Sequence, residues 1–184
     1  MTPLIIIIVL LALLAFYGMG VYNKLVRKRT MMEEGWSGID VQLKKRYNLI
    51  PNLVETVKGY AKHEQETLNK VIAARNTALK AEGVAAQTKA ENQLNSALAN
   101  VFALSEAYPE LKANTNFLQL QNELSAIEGD VEKSRRYYNA TVRENNIMVE
   151  SFPSNLIAGT FGFHLGEYFE LEDNSQRELP KVQF

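Results

Sequence analysis

The stretch from Trp36 to Tyr60, WSGIDVQLKKRYNLIPNLVETVKGY, decides the fold, because its apolar pattern runs straight through a proline. Positions 36, 39, 43, 46, 50, 53, 57 and 60 hold Trp36, Ile39, Leu43, Arg46, Ile50, Leu53, Val57 and Tyr60, so steps of three and four alternate without interruption. A proline removes one helical hydrogen bond and disfavours helical geometry at the residue before it, which argues for a break at Ile50. No polar loop surrounds Pro51, however, and the register survives it. The spacing therefore predicts one long helix kinked between Asn48 and Pro51, with a true turn there as the alternative.

Toward the N-terminus, Pro3 to Tyr22 reads PLIIIIVLLALLAFYGMGVY, about 20 residues without a charge and the length a helix needs to cross a bilayer. Roughly a dozen Leu, Ile, Val and Phe side chains, at about −0.3 to −0.6 kcal/mol each, favour insertion by roughly 5 kcal/mol. A cleaved signal peptide would carry a basic leader and a small-residue cleavage site, whereas only Met1, Thr2 and Pro3 precede Leu4. A lipoprotein anchor would need a cysteine, and the chain has none. A helix apolar on every face would need a larger protein around it to be a soluble core. The segment is therefore expected to span. Lys24, Arg27, Lys28 and Arg29 follow it directly, and cations close to a span stay on the cytoplasmic side, where anionic headgroups attract each by about 1 kcal/mol. The expected topology is a single pass through the cell's inner membrane, N-terminus outside and the bulk of the chain in the cytoplasm.

Toward the C-terminus the apolar register shifts after Tyr60 and continues through Leu68, Val71, Ile72, Ala78 and Leu79 to a stop at Glu82 and Gly83. A second helix over 84–106 would bury Ala90, Leu94, Ala97, Leu98, Val101 and Leu104, its alanines implying close helix approach. Pro109 ends that segment and Asn114 stands where it can cap the next. The third helix, 115–150, carries Phe117, Leu120, Leu124, Ile127 and Val131 on its seam, then turns polar at Ser134, Thr141 and Asn145. Those polar residues are either buried with partners, fixing register, or belong to an end that frays. Ser151 to Phe169 is too rich in glycine and aromatics for a long helix, so a short helix from Ser154 followed by a covering segment is expected. Glu170 to Phe184 is a mostly polar tail that a lone monomer would leave disordered. The fold class is all-α, a transmembrane helix continuing into a long-helix antiparallel bundle with helices at about 23–81, 84–106 and 115–150 and a short C-terminal one. Its parts are an anchor (1–22), the bundle (23–152), and a short helix with an extended tail (153–184).

The 184 residues hold 20 Lys and Arg against 21 Asp and Glu, so charge gives no case for nucleic acid as a partner. The absence of cysteine fits a reducing compartment and excludes disulfides, thiol catalysis and cysteine zinc sites. His63-Glu64 opens like a zinc-protease motif, but the second histidine would stand at 67, which is Thr67. Only His164 remains, so a helix-based metal site lacks its second nitrogen. Ser37 and Asp40 have neither a positioned base nor an oxyanion hole beside them in the sequence. No catalytic, cofactor or metal site is expected. Arg46, Glu64 and Arg75 lie on or near the apolar stripe, where structural pairing is the default and a binding role would require all three to face one groove. Trp36 is read as core packing over interfacial anchoring. Phe161, Phe163, Tyr168 and Phe169 exceed what one bundle end needs and are the expected anchors for a second copy of the chain.

Taken together, the run from Trp36 to Arg75, then YPELKANTNFLQLQNEL from Tyr108 and FPSNLIAGTFGF from Phe152, resembles the bacterial LemA family over nearly the whole chain. It departs from the family's usual pattern at Tyr47, where an acidic residue is common, and at Arg143 to Asn145, where a Tyr-Asn pair is common. The resemblance implies a helical cytoplasmic domain on a membrane anchor, with ties to membrane organisation and to HtpX-type membrane metalloproteases. Two functions follow as expectations: a self-associating scaffold in the membrane, or an adaptor of such a protease. An enzyme with a site invisible to motif search is the third.

Overall fold

The computed structural model describes residues 2–170, so the expected polar tail lies, beyond Glu170, outside the described residues. These residues form six helices and no strand: α1 (Thr2–Tyr60), α2 (Gln65–Leu79), α3 (Val84–Ser105), α4 (Pro109–Lys112), α5 (Thr115–Glu150) and α6 (Ser154–Phe161). Two units divide them. The first takes residues 1–41 and 132–168, the second 42–131 with the segment from Phe169.

In the second unit α1 passes through Pro51 without interruption. Pro51 has no N–H to give the carbonyl four residues back, which is that of Tyr47. Arg75 supplies the missing donor from α2, its Nε lying 2.8 Å from the Tyr47 oxygen. A helix is continuous here because a side chain from a neighbour stands in for one backbone bond.

The single helix expected over 23–81 is in fact two. Helix α1 closes at Ala61, whose N–H bonds to Val57, and a turn held by Glu64 N–H on the Ala61 carbonyl (3.1 Å) leads into α2. Tyr47 and Arg75 lie equally far from Ala61 along the chain, so α2 runs back beside α1. The register shift after Tyr60 is the physical reason: a straight helix would carry Leu68, Val71 and Ala78 off the core face, whereas reversal returns all three to the interior, where they are buried. Gly83, at φ +82°, makes the next reversal in a conformation that favours glycine. Helix α3 then packs along α2, and the single turn α4 leads to α5. Asn114 caps α5 as expected, its Oδ1 accepting from Phe117 N–H at 2.9 Å, while its amide donates to Tyr60 OH at 2.8 Å. With Arg46 paired to Glu128 farther along, α5 is antiparallel to α1, and the unit is an up-down-up-down four-helix bundle. Ile39 aside, the buried α1 stripe here is Leu43, Ile50, Leu53 and Val57, with Phe117 and Leu111 closing one end.

In the first unit α1 and α5 are again antiparallel, Lys28 pairing with Glu144 and the Trp36 ring lying 5.4 Å from that of Tyr138. Their backbones come close at Gly35, where a β-carbon would stand 3.2 Å from Tyr138 Cα. The polar end of the α5 seam does not fray. Asn145 is buried and donates to the His164 carbonyl (3.1 Å), and Asn146 both donates to the Gly166 carbonyl (3.0 Å) and accepts from its N–H (2.7 Å). Tyr138 OH donates to the Glu167 carbonyl at 2.9 Å. The segment after α6 thus covers the polar half of α5, whose side chains satisfy its backbone. Helix α6 itself seats Ala158, with Phe163 just beyond, against Val21 and Leu25 of α1.

Candidate functional site

Two places concentrate polar or exposed apolar side chains in a way the fold alone does not require. The first is a hub inside the four-helix unit. Arg46 sits on the a/d stripe of α1 and is 5% exposed; Glu91 of α3 is 1% exposed. Arg46 Nη1 reaches Glu91 Oε2 at 3.1 Å and Nη2 reaches Glu128 of α5 at 2.9 Å. The other Glu91 oxygen accepts from Tyr47 OH and from Gln87 Nε2 (3.1 Å), and Gln87 also donates to the Tyr47 hydroxyl oxygen at 2.7 Å. Three helices, α1, α3 and α5, therefore meet on one carboxylate and one guanidinium, and α2 joins them through Arg75, which holds the Tyr47 backbone.

Burial pushes the Glu91 carboxyl above its ordinary range, against the opposing pull of Tyr47, Arg46 and Gln87. It pushes the Tyr47 hydroxyl up as well, and the adjacent Glu91 charge adds to that. Tyr47 is consequently a permanent donor at physiological pH. Apart from Arg46 Nε, which is buried without a hydrogen-bond partner, donors and acceptors here satisfy one another inside a packed core, the arrangement of an internal lock that sets the mutual register of the helices. Of the three charges at the stripe, Arg75 bonds the Tyr47 carbonyl and Arg46 pairs with the Glu91 carboxylate to which Tyr47 OH donates; Glu64 lies apart, accepting from Tyr108 OH at 3.3 Å. Glu91 and Gln87 were not singled out from sequence. Their signal was a glutamate and a glutamine four apart on the alanine-rich face of α3.

Elsewhere the chemistry is dispersed. His63, His164 and Ser37 are exposed, and among the described residues no group of three or more His, Asp or Glu could hold a metal ion. An open groove of about 1100 Å³ runs between α2 and α3, lined by small and polar side chains such as Thr67, Thr77, Thr88 and Asn92.

The second place is the apolar N-terminal end of the first unit. Side chains of α1 from Leu4 to Met19 stand open, from 51% exposed at Val9 to 69% at Phe16, and α1 is the one helix among the described residues long and apolar enough to cross a membrane. Of the four cations that follow, Lys24 and Arg27 are exposed. Lys28 pairs with Glu144, holding that carboxyl below the usual range. Arg29 lies with its guanidinium 5.4 Å from the centre of the Phe163 ring. The four aromatics expected to form one interface are divided. Phe163 is buried in the first unit and Phe169 in the second, while Phe161 and Tyr168 are 59% and 43% exposed. Phe161 and Phe163 both meet the edge of Tyr22, at 4.9 and 5.7 Å.

Residues 35–184 match the model of the LemA family. Among curated proteins the chain is similar to Protein LemA of Metamycoplasma hominis, 26% identical over 144 residues, covering 78% of this chain and 66% of that protein. It is also similar to magnetosome proteins MamQ 2 and MamQ 1 of Paramagnetospirillum magneticum, each 23% identical over 175 residues, covering 81% of this chain and 64% of the relative. The chain thus spans just under two thirds of the length of the curated relatives it matches.

Proposed function

The chain belongs to the LemA family, and from that premise we propose that it is a membrane-anchored helical scaffold that self-associates and organises membrane or membrane-protein complexes. The observation that carries this reading is helix α1. One continuous helix has an open, uncharged first third, a cluster of cations, and then a stripe buried in a four-helix bundle. In this reading residues 3–22 span the inner membrane and Lys24, Arg27, Lys28 and Arg29 hold the following chain on the cytoplasmic side. The reading is of a non-enzyme: Tyr47 and Glu91, two groups whose titration burial shifts upward, are spent on each other in the buried core. Membrane lipid and further copies of the chain are its partners, without nucleic acid.

Particle mass of the full chain in mild detergent tests the scaffold. Mass corresponding to several chains is expected, and a single chain at every concentration would refute it. Service as an adaptor of an HtpX-type membrane metalloprotease would instead give a monomer whose mass rises only when that protease is added. Protease applied to intact cells tests the topology: the chain beyond Asn23 should survive, and its digestion from outside would reverse the orientation.

A further inference from the structure

No Asp, Glu, Lys or Arg occurs between Ser151 and Gly166. In a chain of this charge content a run of that length is expected either to be buried or to meet something apolar. Part of it is buried: Ala158 and Phe163 pack on Val21 and Leu25 of α1. The remainder is open, Phe152 at 80%, Leu156 at 61%, Phe161 at 59% and Leu165 at 53%.

The position of this open face says what covers it. Helix α6 is seated on the last turns of the apolar segment of α1: a β-carbon on Gly18 would lie 3.7 Å from Ile157 Cδ1, and the Phe161 ring meets Tyr22 edge-on. Gly18 lies about 6 Å along the α1 axis from Tyr22, at 1.5 Å per residue. A helix lying in a membrane interface sinks its apolar face about 5–10 Å into the boundary between headgroups and acyl chains. With residues 3–22 in a bilayer, α6 therefore stands beside the span at that depth. Lys24 and Arg27, exposed just outward on α1, provide the cations that such a helix otherwise carries itself.

We propose that α6, with Phe152 before it and Leu165 after it, is a second membrane contact: a short element lying in the headgroup–acyl boundary against the α1 span, its outward side chains covered by lipid. This rests on reading residues 3–22 as a span, and the test separates the two. The chain has no cysteine, so single cysteines report single places. Leu156→Cys and Phe152→Cys in the full chain would carry an environment-sensitive fluorophore (NBD) in phosphatidylcholine–phosphatidylglycerol vesicles, beside Leu10→Cys in the span and Leu118→Cys on exposed α5. Lipids bearing a nitroxide near the headgroup or near the acyl end act as quenchers.

The expected result is blue-shifted emission at 152 and 156, lost mainly to the headgroup-side nitroxide. Emission at 10 is lost mainly to the acyl-end nitroxide, and emission at 118 to neither. Water-like, unquenched emission at 152 and 156 with quenching at 10 would overturn the contact and leave the span standing. Blue-shifted emission that neither nitroxide quenches would assign the face to a second copy of the chain. Loss of quenching at 10 as well would bring down span and contact together.

Discussion

Removing the Arg75 side chain probes whether a neighbouring helix completes α1. In Arg75→Ala the Tyr47 carbonyl keeps no donor, because Pro51 offers no N–H and the Arg75 Nε at 2.8 Å is gone. A hydrogen bond from a charged donor is worth about 1.5–3 kcal/mol, so Arg75→Ala should lose that much. For a chain of this size, about 2–4 °C of Tm per kcal/mol makes the loss roughly 3–12 °C. The partner variant is Pro51→Ala, which restores an N–H to the same carbonyl. In that background Arg75→Ala should cost no more than about 0.5 kcal/mol, the level at which independent sites add. Thermal unfolding of the four proteins in one detergent, followed by circular dichroism at the helix band, gives the cycle directly. Equal costs of Arg75→Ala with and without Pro51 would refute the reasoning and leave Arg75 an ordinary packed side chain.

Glu91→Ala should be among the most damaging single changes, about 3–5 kcal/mol by urea unfolding, since it leaves buried Arg46 with one partner and strips an acceptor from Tyr47 and Gln87. Arg46→Met with Glu91→Leu should cost far less than the two singles added, because apolar side chains then replace both charges. The raised Tyr47 hydroxyl gives a pH signature: the unfolded chain releases this proton near the ordinary tyrosine value of 10.0 while the folded chain keeps it, so the contribution is complete below that pH and is lost as pH rises past it. Tyr47→Phe should therefore flatten the fall in Tm above pH about 10; an unchanged slope would place the tyrosine outside the hub. Among glycines inside helices the prediction splits by contact. Gly35→Val should lose about 1–3 kcal/mol against Tyr138 and Thr141, whereas Gly129→Ala, with nothing within 4 Å, should gain up to about 1 kcal/mol in the same melt.

Much of the architecture was legible because burial wrote itself into spacing. The stripe from Ile39 to Val57 is the buried stripe of α1, and Asn114 caps α5 as its place before an apolar run suggests. The turn at Ala61 to Glu64 escaped because it contains neither glycine nor proline, the residues that punctuate a sequence. Its trace was the shift of register after Tyr60, which by itself fits a helix that twists or a helix that folds back. Arg46 and Arg75 stood out as charges on an apolar face, yet what they hold lies 45 and 28 residues away in the chain, a relation no local pattern contains. Tyr47 was visible only as a departure from the family's usual residue. The two rings Phe163 and Phe169 looked alike in sequence; tertiary packing alone separates their buried places from the open ones of Phe161 and Tyr168.

The bond from Arg75 to Tyr47 also sets a clock. A ribosome delivers the chain from the N-terminus, so α1 is made, proline included, before the arginine that completes it exists. At about 5–20 residues per second, the 28-residue separation puts roughly 1–6 s between the two. During that interval the nascent α1 lacks the donor that the Tyr47 carbonyl has in the folded chain. Folding back of α2 then repairs the helix and brings Leu68 and Val71 to its stripe in one movement. The bond that completes α1 is thus timed by translation to the arrival of a single side chain.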